Sequence, residues 1–189
     1  MTVMLTRTAL AAILATGMVG TALADTYVID TKGAHASINF KASHLGFSWL
    51  LGRFDDFEGT FDFDPENPEA SKVEVEIDTA SVNSNHEARD KHLRSGDFLN
   101  VDAHPKATFK STKVEVTGEK TAKITGDFTL NGVTKPLTLD VEYIGGGKDP
   151  WGGHRQGFMG TTSFGMGDFD FEKDYGKVDL TLHVEGIRQ

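Results

Sequence analysis

The chain has 189 residues, with 28 acidic against 19 basic side chains, a formal charge of −9, and no cysteine. The missing cysteines exclude disulfides, thiol catalysis and thiolate metal centres. The negative balance argues against nucleic acid and anionic membrane faces as partners of the chain as a whole.

Residues 1–24 read as a cleaved secretory signal: Arg7 supplies the positive start, Ala9 to Gly20 is a short apolar run, and "ALA" at Ala22 to Ala24 fits the cleavage pattern. That run is shorter than the roughly 20 residues a membrane span needs. No later segment is long and apolar enough to span, so the expected product is soluble and periplasmic or extracellular. Residues 25–189 suit one domain with a real core. Loss of Arg7 with the signal moves the formal charge to −10.

After a short lead-in at "YVID", strand signals follow one another. "HASINFKA" sets Ala36, Ile38 and Phe40 against Ser37, Asn39 and Lys41. "SHLGFSWLLGRF" is aromatic and apolar without a clean period; it either covers a barrel end or cavity or is ordinary core. "GTFDFD" alternates Phe61 and Phe63 with Asp62 and Asp64, and "KVEVEID" alternates Val73, Val75 and Ile77 with acids. Less regular runs lie near Arg53–Asp64, Ala107–Val116, Ala122–Leu130, Pro136–Ile144 and Gly157–Phe164. "KVDLTLHVEG" closes the series with Val178, Leu180, Leu182 and Val184 on one face. Period-two alternation gives one apolar and one wet face. "LNGV" carries Asn131-Gly132, a favoured hairpin turn. "DPENPEA" and "GGGKDPWGG" are loops by their Pro and Gly content. About eight antiparallel strands result, as a sandwich or a closed barrel; alternation alone does not separate the two.

One stretch breaks the rhythm. In "SNHEARDKHLRSG", Ser84 and Glu87 form a capping box and Gly96 stands where a helix-ending glycine is expected, so the spacing predicts a helix over about 85–95. At about 100° per residue, Glu87, Asp90, Lys91 and Arg94 share one face. They pair at i,i+4, which reads as a solvated side. His86, Arg89, His92 and Leu93 share the other. A helix this short must dock, so Arg89 faces the protein and needs a polar partner. Two uses are open: a structural lid, or a polar clamp for a ligand. A His86/Asp90/His92 metal site fits poorly, because the two imidazoles sit apart around the axis. "DPWGGHRQGF" places His154 and Arg155 beside Trp151 in a loop, either at a barrel mouth or simply exposed. No Ser-His-Asp signature, HExxH, P-loop or GxGxxG is present. Nothing marks a catalytic pair, a metal or a cofactor.

Taken together, "HLGFSWLLGRFDDFEGTFDFD", "NHEARDKHLRSGDFLN", "HPKATFKST", "ITGDFTLNGVTKPLTL" and "DPWGGHRQGF" resemble the periplasmic YceI-like family, in the family's order and over essentially all of 25–188. The resemblance implies an extended, lipocalin-like eight-stranded antiparallel β-barrel with one helical insertion. It implies an apolar tunnel that holds a polyisoprenoid or comparable amphiphile, of the isoprenoid quinone or prenyl phosphate class, without catalysis or cofactor. Some members are dimers, so a homodimer is one expected state, and family roles include lipid handling and stress response. On this reading Phe40, Phe47, Trp49, Phe61, Phe63, Phe109, Phe128 and Phe164 are expected on the tunnel wall. His44, His86, Arg89, His92 and Arg155 are expected at its polar end. The alternatives are an enzyme acting on a lipid head group, and a ligand-free structural or stress-response barrel with a packed interior.

Overall fold

The alternating segments form antiparallel strands in the computed structural model, which describes residues 24–189; the expected secretory signal lies outside the described residues apart from Ala24. The strands are β1 (Asp25–Ile29), β2 (Ser37–His44), β3 (Ser48–Phe54), β4 (Phe57–Phe63), β5 (Lys72–Asp78) and the two-residue β6 (Val82–Asn83). After α1 (Glu87–Arg94), the one α-helix among the described residues, come β7 (Lys106–Gly118), β8 (Thr121–Leu130), β9 (Val133–Lys148), β10 (His154–Gly165) and β11 (Lys177–Arg188). Asn131 and Gly132 both take positive φ in the tight β8–β9 turn, as the Asn-Gly pair requires.

The sheet runs β1-β4-β5-β7-β8-β9-β10-β11 and closes where β11 returns to β1, pairing Tyr27 with Arg188, Val28 with Ile187 and Ile29 with Gly186. This is the closed eight-stranded barrel expected, not a sandwich. The three remaining strands lengthen it. Further along β11, β2 takes over from β1, pairing Ile38 with Leu182 and Phe40 with Leu180. In the same way β3 leads into β4, and β6 continues β5. Three of the eight staves are therefore broken, at Asp30–Ala36, Asp55–Asp56 and Thr79–Ser81.

The breaks are filled by specific bonds. Asp55 N donates to Ser81 O and Asp78 N to Asp56 O, so two interruptions satisfy each other. Thr79 is fully buried, with its N–H on Pro105 O and its hydroxyl on His104 O. Each bond answers a backbone group that the missing ladder leaves open.

The helix departs from its expected frame in three ways. His86, not Ser84, is the N-cap, its Nδ1 accepting from Arg89 N at 3.2 Å. Ser95 ends the helix, its N–H returning to His92 O, and Gly96 takes no part. The docked face is also rotated. Asp90, expected on the solvated side, is buried; its Oδ1 accepts from Ser84 N at 2.8 Å and from the Ser84 hydroxyl. Arg94 does not pair with it but donates to Ala80 O at 2.7 Å and Val82 O at 2.9 Å. The cause is that the segment before the helix pairs with β3 on one side only, so Asp90 and Arg94 supply hydrogen bonds on the other. Burial opposes the charge on Asp90, but the Ser84 hydroxyl and amide outweigh it and lower its pKa.

Replacing Asp90 by Ala leaves the buried N–H and hydroxyl proton of Ser84 without their acceptor. The expected result is a loss of about 2 kcal/mol in denaturant unfolding, with faster amide exchange concentrated in residues 84–94.

Candidate functional site

Inward-facing apolar side chains of a filled barrel are fully buried. Here many are not. Phe40, Phe63, Val73, Val75, Leu137, Val141, Phe158, Phe164, Leu182 and Val184 pack against the core yet remain half-buried, because the barrel encloses open space. That space has two lobes of about 390 Å3 each. Ile38, Ile77, Phe128 and Leu180 line both, so the lobes meet at a waist near the broken staves.

Three glycines keep the walls thin. A methyl group at Gly52 would collide with the ring of Phe40, at Gly126 with Phe109, and at Gly186 with Phe61. Phe40 faces Gly52 directly across the β2–β3 ladder. Phe40 and Phe109 thus lie along the wall over the adjacent strand, and Phe61 reaches past β1 to β11, instead of projecting across the lumen.

The first lobe is walled by Phe61, Phe63, Phe109, Tyr143 and Phe158 and opens among Pro65, Pro68, Lys72, Glu119 and Lys120. Phe158 meets Phe61 and Phe63 edge-on, with ring centres 5.4 and 5.2 Å apart. The second lobe is walled by Phe40, Leu50, Phe54, Phe164 and Phe171, and α1 and the loop after it contribute Leu93, Phe98 and Leu99. Its polar lining is Ser43, His44, Arg89, His92 and Tyr175.

Of the expected wall residues, Phe40 and Phe164 line the second lobe, Phe61, Phe63 and Phe109 the first, and Phe128 both. Phe47 and Trp49 line neither. They lie on the outer face of the β2–β3 hairpin, largely exposed, because Leu50, Gly52 and Phe54 take the inward parity of β3. Lining residues not singled out from sequence include Tyr143, Phe158 and the whole apolar face of β11. The strict alternation Val178, Leu180, Leu182, Val184 was the available signal.

The expected polar end divides. His44, Arg89 and His92 come together on the second lobe. Arg89 donates from Nε to Ser84 Oγ at 2.7 Å and from Nη2 to Ser84 O at 2.6 Å, which orients its guanidinium at the lumen. His92 Nε2 lies 2.7 Å from Asp97 Oδ2, which also accepts from Lys173 Nζ at 2.6 Å. Lys173 and then His92 hold the Asp97 carboxyl below its ordinary pKa. His86 does not reach the lumen; it is spent as the helix cap. Asp90, His86 and His92 each bond a different partner, so they do not form a common ligand set.

Arg155 lies outside both lobes. Its Nη1 donates to Asp30 Oδ2 at 2.8 Å and Glu185 Oε1 at 2.5 Å, and its Nε to Asp149 Oδ2 at 2.9 Å. His35 adds a contact of 2.9 Å to Asp30. The reason is charge: three carboxylates surround the guanidinium and pin the β1–β2 break to β10, β11 and the β9–β10 loop. Asp30, His35 and Glu185 are also the one set among the described residues spaced to hold a metal ion. Arg155 already supplies the positive charge there. His35 first and Arg155 next pull the Asp30 carboxyl down to about 2.

The geometry has relatives. A family model described as the YceI-like domain matches residues 27–186. A "UPF0312 protein" of Ectopseudomonas mendocina is 60% identical over 174 residues, covering 90% of this chain and 91% of that protein. The solved YCEI protein of Campylobacter jejuni is 33% identical, with a TM-score of 0.71 over 78% of this chain and 90% of that one. A polyisoprenoid-binding domain from Saccharophagus degradans shares the fold, with a TM-score of 0.65 at 16% identity, covering 89% of this chain and all of that one.

The Arg155 cluster yields a pH signature. The folded pKa of Asp30 lies below its ordinary 3.8, so its stabilisation is complete above about pH 4 and is lost as pH falls toward 2. In Arg155→Met the midpoint of thermal unfolding at neutral pH is expected to drop by about 5 °C or more. Its further fall between pH 4 and 2 should be shallower than in the wild type. Calorimetry across that pH range checks both.

Proposed function

Because the chain belongs to the YceI-like family, we propose that it is a binding or carrier protein for a polyisoprenoid or similarly long amphiphile, of the isoprenoid quinone or prenyl phosphate class, acting in the periplasm. The observation that carries this reading is the hollow, almost wholly apolar interior, whose two lobes share Ile38, Ile77, Phe128 and Leu180 at a waist. A chain lying through both lobes buries methylenes at about 0.8 kcal/mol each, so affinity needs no ionic clamp. The second lobe's polar group then sets orientation. Arg89 has spent Nε and Nη2 on Ser84, which leaves Nη1 as a donor for a head group, with His44 and His92 beside it. The binding role named for the Saccharophagus degradans domain accords with this reading. Among the described residues no hydrogen-bonded pair of a nucleophile and a base lines the lumen, which favours binding over turnover of a head group.

Protein purified from its own host is expected to release an isoprenoid lipid on organic extraction and to show the added mass by native mass spectrometry. Repeated recovery of empty protein that takes up no added isoprenoid quinone counts decisively against the reading. Leu180 lines the waist, so Leu180→Trp should weaken uptake of a long-chain quinone about tenfold or more. A short-chain analogue that fits one lobe should lose much less. Titration of both ligands, with circular dichroism to check the fold, makes the comparison.

A further inference from the structure

The β2–β3 hairpin carries an apolar surface that the barrel does not use. Phe47, Trp49 and Leu51 share the outward parity of β3, with 87, 62 and 65% of their surface exposed, and Leu45 at the tip is 68% exposed. A monomeric surface rarely gathers so many large apolar groups together. Leu45 is also held at φ 56°, a region that disfavours an apolar side chain. It belongs to two surfaces at once, because it lines the second lobe as well as facing outward. Tyr175, half exposed, joins it in that lining. The apolar exterior of the hairpin is therefore continuous with the apolar interior.

Charge separates the hairpin from the rest of the chain. Thr31 to Phe54 is the longest run without an aspartate or glutamate within 25–189, and it holds Lys32, Lys41 and Arg53. Elsewhere acids dominate, and an anionic surface repels them. Lys41 and Arg53 do have acidic neighbours from outside the run, Asp179 at 3.3 Å and Asp55 at 2.6 Å. None lies between Leu45 and Leu51. Lys41 Nζ also sits 4.6 Å over the Trp49 ring. An aromatic with a cation beside it, next to exposed aliphatic and phenyl groups, suits the level where phosphate head groups meet acyl chains.

We propose that the β2–β3 hairpin docks on a phospholipid membrane surface, tip first. Leu45 and Phe47 enter the acyl region, Trp49 and Lys41 sit at the head groups, and the mouth of the second lobe faces the bilayer. A lipid then passes between membrane and lumen along apolar surface, without crossing water. Docking serves the lipid-binding reading above, but the surface that docks exists independently of it.

The test uses the mature chain with vesicles of phosphatidylethanolamine and phosphatidylglycerol. The protein is expected to float with the vesicles. In a Trp151→Phe background Trp49 is the sole tryptophan; its emission should shift to the blue and be quenched by lipids brominated on the acyl chain. Phe47→Asp with Leu51→Asp should lower vesicle partitioning about tenfold or more. Uptake of isoprenoid quinone from detergent should stay unchanged, since neither side chain lines the lumen. Absence of vesicle binding overturns the proposal, as does binding that survives the double substitution. So does a dimer that the double substitution dissociates while vesicles are ignored, because a second copy then covers the hairpin. Quinone uptake from detergent without vesicle binding removes docking and leaves the lumen reading intact. Hairpin-dependent vesicle binding without any quinone uptake supports docking and removes the lumen reading.

Discussion

Pairing of Tyr27, Val28 and Ile29 with Arg188, Ile187 and Gly186 joins the first strand to the last. Everything else in the molecule depends on that closure. An open sheet of these strands would leave edges to be paired or covered and would have to bury its apolar face against a second layer. Closed, the same face encloses a space of its own. Glycines at 52, 126 and 186 let Phe40, Phe109 and Phe61 lie along the wall, so the aromatic content lines the lumen instead of filling it.

Closure also explains where the polar residues go. The staves break at three places on adjacent strands, and each break exposes backbone groups that must be answered. Arg155 with Asp30, Asp149 and Glu185 fastens one break from outside the lumen. Asp90 and Arg94 answer the segment around another by bonding Ser84, Ala80 and Val82. Polar groups that look chemically suggestive in the sequence are therefore largely committed to holding an irregular barrel together. Arg89, His92 and His44 differ because they also border the second lobe. Arg89 serves both ends: its bonds to Ser84 fix the helix, and the same bonds aim it at the space where a head group is proposed.

The helix shows how a sound local rule loses to its surroundings. Ser84 and Glu87 satisfy the capping-box pattern, yet Ser84 is needed under the helix as a partner for Asp90, and His86 caps instead. Likewise i,i+4 spacing makes Asp90 and Arg94 natural partners, worth only a few tenths of a kcal/mol on a solvated face. Satisfying buried amides and carbonyls is worth more, so the docked face turns toward them.

The sequence by itself determined the strands, the Asn-Gly turn, the helix after β6 and, through its family motifs, the closed barrel. These follow from local alternation, turn chemistry and a motif set that survives without coordinates. It also marked part of the aromatic wall, because Phe61, Phe63, Phe109, Phe128 and Phe164 sit in segments where one parity holds the larger apolar residues. It could not orient β3. "FSWLLGRF" is apolar on both parities, with Phe47, Trp49 and Leu51 on one and Leu50, Gly52 and Phe54 on the other. Only the pairing of Phe40 with Gly52 and of Ala42 with Leu50 decides which set faces inward. Nor could it separate Arg155 from Arg89, since two of the three carboxylates that claim Arg155, Asp30 and Glu185, come from distant segments. Tertiary structure decided both, because ladder register and long-range charge pairing join residues that no local pattern places together.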